Sequence, residues 1–197
     1  MRLLTTFAVF AALGVSALAM PPVPRPAKEF DFVDASGKHV LLSSLKGKVV
    51  IIQGLLTTCP HCQAFSQVLS KMQTEYGPRG FQAMGIGMDA DPTTVQNYIT
   101  NYHVNFPVAY APSDTLLSFL GHSVTERLMV PQVVIMDKKG VIQAESAASG
   151  TAELQTEANI RVWIEKLLGP GAHSATQSKV APAAKPVPVA SAKPAGN

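Results

Sequence analysis

"KVVIIQGLLTTCPHCQAFSQVLSKM", residues 48–72, holds both cysteines of the chain, Cys59 and Cys62. Its first nine residues are mostly β-branched or leucine and run without a 3.6-residue period, which reads as a strand buried on both faces. Beyond the cysteines the pattern changes. Phe65, Val68, Leu69 and Met72 recur at helical spacing and share one face. Pro60 suits a first helical turn, where its missing N–H has no partner to lose. The cysteine pair therefore stands where a buried strand runs into a helix N-terminus.

Two cysteines three positions apart leave three readings: a redox pair, half of a metal site, or inert core thiols. A disulfide-stapled secreted fold uses several well-separated bridges. A bridge between Cys59 and Cys62 closes a tiny loop and adds little stability by loop entropy. Their use is therefore chemical. A structural zinc site lacks ligands, because there is no third cysteine and the 5 histidines are scattered.

The 197 residues suffice for one domain with a core and two biased ends. Residues 1–19 carry Arg2, an apolar run and the small residues of Ala17-Leu18-Ala19, which reads as a secretory signal cleaved after Ala19. The alternative is an uncleaved membrane anchor. Residues 20–27 form a Pro-rich lead, and 28–169 form the domain. Residues 170–197 are rich in Ala, Pro and Lys, with no aromatic and no acid, a composition expected to stay disordered. The ends also account for the basic balance. All 13 acids lie between Glu29 and Glu165, against 12 basic residues in 20–169, so the domain is near −1. Nucleic acid is excluded as a partner class.

Outward from the opening stretch, "EFDFVDASGKHVLL" reads as a hairpin around "DASGK". "FQAMGIGM" reads as a strand, and Asp91 as the N-cap of a helix over "DPTTVQNYITNY". "FPVAYA" is a short strand and "SDTLLSFLG" a short helix stopped by Gly121. "VPQVVIMDKKGVIQAES" is a second hairpin, and "TAELQTEANIRVWIEKLLG" a last helix. Strands alternating with helices predict an α/β fold, a mixed central sheet with helices on both faces and an N-terminal β-hairpin extension. Met84, Met88, Met129 and Met136 read as core filler.

This order, with "CPHC" at the strand-to-helix junction, resembles the thioredoxin superfamily, and within it the TlpA-like, redoxin (AhpC/TSA-like) extracytoplasmic branch. The features are "DASGKHVLLSSLKGKVVIIQGLLTTCPHC", "GIGMDADPTTVQNYITNYHVNFPV" and "VPQVVIMDKKGVI", within residues 28–168. The resemblance implies a thioredoxin fold, with Pro131 as the cis-proline facing the cysteines and Val130 before it. Five positions depart from the family pattern. Gly54-Leu55 replaces an aromatic pair, Thr58 a tryptophan, Phe65 a glutamate of many reductases, and Gln53 the buried acid of thioredoxin.

Disulfide exchange needs a thiolate, and a helix N-terminus stabilises one. Cys59, in the first turn, is the expected nucleophile, stiffened by Pro60 and assisted by His61. Cys62, one turn further in, is the expected resolver, so the redox group is a Cys59–Cys62 disulfide with no other cofactor and no metal. Val130 and Pro131 are the expected cradle for the partner's backbone. The expected partners are protein thiols and disulfides, with a membrane redox protein as feeder. The Pro60-His61 dipeptide and Val130 match Dsb-type oxidants, while the architecture matches TlpA-type reductases, so the expected potential is oxidising to intermediate. Two other chemistries stay open. A peroxiredoxin-like peroxidase places threonine three residues before its cysteine, where this chain has Leu56. A Sco-type copper chaperone adds a distant histidine, for which His103 and His122 are the candidates.

Overall fold

The computed structural model describes residues 21–123 and 125–170. The expected signal peptide, and all but the first residue of the expected tail, lie outside the described residues. Among the described residues no helix is long and apolar enough to cross a membrane.

The strands are β1 (Arg25–Pro26), β2 (Asp31–Asp34), β3 (His39–Leu41), β4 (Val49–Leu55), β5 (Phe81–Gly87), β6 (Val108–Tyr110), β7 (Gln132–Met136) and β8 (Val141–Glu145). The helices are α1 (Pro60–Tyr76), α2 (Pro92–Asn101), α3 (Ser113–Leu120) and α4 (Glu157–Leu168). All strands join one sheet in the order β1-β8-β7-β4-β5-β6-β2-β3. β4 runs parallel to β5 and antiparallel to β7. It therefore has a partner on both sides and every residue buried, which is why its sequence lacks alternation.

Side chains of β4 still alternate between two cores. Val49, Ile51 and Leu55 pack with Phe65, Leu69 and Met72 of α1, Val95 of α2, and Ile160 and Ile164 of α4. Val50 and Ile52 pack on the other face with Leu116 and Phe119 of α3 and with Phe30 and Phe32 of the N-terminal hairpin. Fully burying a side chain such as Ile51 contributes about 1.5–3 kcal/mol.

Gly54 has a steric cause. A Cβ there would sit 2.4 Å from Leu116 Cδ2, so α3 leans directly on the β4 backbone. Gly121 ends α3 at φ 78°, a left-handed conformation that glycine adopts without penalty. Asp91 caps α2 through the N–H groups of Thr93 and Thr94.

Three features differ from the sequence reading. The last helix begins at Glu157, not near Thr151. A 3-10 turn, Ala152–Gln155, precedes it, and Thr156 breaks the run by accepting the Asn159 N–H as an N-cap. The Pro-rich lead is part of the sheet: Arg25 and Pro26 pair with Ile142 and Val141. The pairing is held by a part-buried Arg25–Glu145 ion pair at 2.6 Å and by Arg25 donating to Leu120 O at 3.1 Å. Met129 is not core filler but 49% exposed.

Candidate active site

The turn between β4 and α1 builds the site. Leu55 closes the strand, and the Cys59 N–H donates to Leu56 O at 3.1 Å. Asp89, just beyond β5, accepts from the Thr57 N–H at 2.9 Å and from the Thr57 hydroxyl at 3.0 Å. Gln63 Nε2 returns from α1 to Thr57 O at 2.9 Å. Parallel pairing of Leu55 with Gly87 brings Asp89 alongside this turn.

Cys59 is the N-cap of α1 with an extended backbone, and Pro60 occupies the first turn. Cys59 is half-buried, Cys62 is fully buried, and both are free thiols. Burial pushes the Cys62 thiol up to about 12, and its neighbours Cys59 and Asp89 add to this, while a hydrogen bond from the Leu56 backbone opposes it. Pro60 and His61 are exposed at the surface.

Behind Cys62 lies a closed polar chain. Gln53 Nε2 donates to Cys62 O at 2.9 Å, and Ser66 Oγ donates to Gln53 Oε1 at 2.8 Å. The Tyr98 hydroxyl meets Ser66 Oγ at 2.7 Å and Cys62 O at 3.3 Å. Burial pushes the Tyr98 hydroxyl up to about 12. These bonds satisfy groups that would be costly to bury alone and fix the first turn of α1.

Val130 and Pro131 enter from the loop before β7. Their peptide bond is cis. Val130 is half-buried, and like Cys59 it packs against one core cluster. Gln155 Nε2 donates to Pro131 O at 3.2 Å, and the Met129 N–H donates to Ala148 O at 2.7 Å. Gln132, buried at the start of β7, pins the same loop through Ala147 O at 3.1 Å. A small groove of about 170 Å³, lined by Thr57, Thr94, Asn97, Tyr98, Asn101 and Tyr102, opens beside the cysteine turn.

The structure thus brings together Cys59, Cys62, Pro60 and His61 on one turn, with Val130 packed against the same cluster as Cys59. It does not bring His103 or His122 to the cysteines. Among the described residues, no three His, Cys, Asp or Glu side chains converge as a metal site, so neither His103 nor His122 joins the cysteines. His122 is buried beyond α3, and His103 is exposed after α2. Sequence reasoning missed Asp89, Ser66 and Tyr98. Asp89 had a usable signal, as the first acid beyond the strand that follows α1.

Comparison with known proteins agrees with this geometry. The redoxin family model matches residues 22–161. The thiol-disulfide oxidoreductase ResA of Bacillus thuringiensis is 24% identical over 131 residues, which is 66% of this chain and 73% of that protein. A thiol:disulfide interchange protein of the thioredoxin family from Chlorobium tepidum superposes with a TM-score of 0.64 at 26% identity, covering 76% of this chain and 99% of its own. A second Chlorobium tepidum structure, described as a thiol:disulfide interchange protein DsbE, shares the fold with a TM-score of 0.62 at 21% identity, over 74% of this chain and 97% of its own.

Proposed function

This chain belongs to the redoxin family of thioredoxin-fold oxidoreductases, and from that premise we propose that it exchanges disulfides with protein partners through Cys59 and Cys62. The observation that carries the reading is the asymmetry of the pair. Cys59 is half-exposed at the helix N-cap, and Cys62 is sealed one turn inside.

In this reading the Cys59 thiolate, facing the positive end of α1, attacks a partner sulfur and forms a mixed disulfide. Cys62 then attacks Cys59, releasing the partner reduced and leaving a Cys59–Cys62 disulfide. The reverse sequence oxidises a partner dithiol. Val130 and Pro131 offer the backbone edge for the partner's chain, and His61 stands at the exposed rim. The leader sequence supports work in an exported compartment, with a membrane protein restoring the redox state.

Equilibration in glutathione buffers tests the proposal. Alkylation and mass measurement should show one reversible dithiol–disulfide transition, at a potential above thioredoxin's roughly −270 mV. Cys59→Ser and Cys62→Ser should each abolish it. A pair that stays reduced across the whole range would overturn the reading.

A further inference from the structure

The Cys62 sulfur has to lose a proton before it can attack Cys59, so the groups around it decide how fast that happens. The wall behind it is neutral. Gln53 is fully buried, and its amide is committed at both ends, to Cys62 O and to Ser66 Oγ. Ser66 is equally buried and shares its hydroxyl with Tyr98. The titratable groups facing Cys62 are Cys59 in its own turn, Asp89 from the loop after β5, and Tyr98 from α2. Tyr98 keeps its proton at neutral pH. Both Asp89 oxygens are engaged by Thr57. His61, next in the chain, is exposed to solvent. Gln53, Ser66 and Tyr98 supply no base, and Asp89 is held in the turn by Thr57, where its charge raises the Cys62 thiol.

We infer that in the mixed disulfide on Cys59 the neutral Gln53–Ser66–Tyr98 wall keeps the proton on Cys62, and so directs the intermediate toward making a disulfide in the partner. The inference rests on the disulfide-exchange reading and deepens it by assigning a direction. The mixed disulfide has two exits. In one, Cys62 gives up its proton and attacks Cys59 Sγ. The Cys59–Cys62 bond forms, the Cys59–partner bond breaks, and the partner leaves as a thiolate that takes a proton. The partner is then reduced and the chain oxidised. In the other, a second thiolate of the partner attacks the partner's own sulfur in the mixed disulfide. The partner's disulfide forms, Cys59 leaves as the thiolate, and the chain is reduced. Only the first exit requires a Cys62 thiolate, and burial holds that thiol up to about 12. The second exit requires only groups on the partner and on Cys59. Gln53 is a positioning residue in this scheme, since it acts through Cys62 rather than on the reacting sulfurs.

Rapid-quench mass spectrometry on the full chain tests this with two peptide probes. The first is a one-cysteine peptide joined to Cys59 through an activated disulfide, so that Cys62 is the sole exit. Its release should accelerate about tenfold per pH unit from pH 6 to 8.5, following the thiolate fraction. Gln53→Glu puts a carboxylate against the first turn, and should speed release at pH 7 by about 10²-fold and flatten the profile. The second probe carries two cysteines, and should leave mostly as its internal disulfide with the native chain and mostly as the dithiol with Gln53→Glu. If Gln53→Glu does not fold, the native pH profile and partition still decide. Fast, pH-independent release from the native chain, or a dithiol product from its two-cysteine adduct, would overturn the inference. Failure of Cys59 to form either adduct would instead overturn the disulfide-exchange reading itself.

Discussion

Asp89 accepts both the backbone N–H and the hydroxyl of Thr57, at 2.9 and 3.0 Å, so the turn ahead of Cys59 hangs on a carboxylate from beyond the neighbouring strand. The same carboxylate pushes the Cys62 thiol upward. Asp89→Asn keeps an acceptor for Thr57 and removes the charge. In a Cys59→Ser background it should bring the Cys62 thiol below about 12, read as thiolate absorbance during a pH titration. Asp89→Ala should do the same and also loosen the turn, costing about 1 kcal/mol in a urea melt. An unmoved Cys62 titration in both variants would remove Asp89 from the account.

The contact between Gly54 and α3 makes a second prediction. Gly54→Ala places a methyl 2.4 Å from Leu116 Cδ2, and should destabilise the fold by about 1–3 kcal/mol in equilibrium unfolding. Leu116→Ala alone leaves a cavity and costs about 2–5 kcal/mol. The double variant should cost less than the sum, because each change relieves the other. Additive losses would mean that α3 does not rest on Gly54.

The Arg25–Glu145 pair gives a pH dependence with a definite sign. Glu145 is pushed above the usual carboxylate range, first by burial, with Arg25 and His122 partly offsetting it. A raised carboxyl binds its proton more tightly in the folded state, so its contribution to stability is greatest at acid pH and falls as pH rises through the folded value. Arg25→Met removes the offset and leaves a carboxyl whose side chain is 2% exposed. It should cost about 3–5 kcal/mol at pH 7 and clearly less at pH 5. Equal losses at the two pH values would refute this assignment.

The cap at Thr156 is a smaller test. Thr156→Ala removes the acceptor for the Asn159 N–H and should cost about 0.5–2 kcal/mol, with α4 otherwise intact by circular dichroism. An unchanged unfolding midpoint would show that the break before α4 is set by the preceding 3-10 turn instead.

Much of the fold is legible in local pattern. The unbroken apolar run of β4, the helical face led by Phe65, the Asp91 cap and the Gly121 stop are each written within a few residues. So is the placement of the cysteines, because a strand-to-helix change fixes the junction. What escaped depends on contacts distant in sequence. β1 has only 2 residues and exists because β8 and Glu145 receive it. Met129 carries a core-type side chain, but the loop that holds it is pinned outward at Ala148. The Gln53–Ser66–Tyr98 chain joins β4, α1 and α2, so none of its members has a local signature. Gln53 reads in sequence as a missing acid, and in the fold as one end of a complete hydrogen-bond chain.

The most direct test of the central claim is covalent trapping with Cys62→Ala. With the resolver removed, Cys59 should hold its partner as a mixed disulfide that survives acid quenching and is released by dithiothreitol. The same treatment of the Cys62→Ala, Cys59→Ser double variant should give nothing. If Cys62→Ala forms no adduct with any disulfide-bonded protein presented to it, Cys59 is not a disulfide-exchange nucleophile and the account is contradicted.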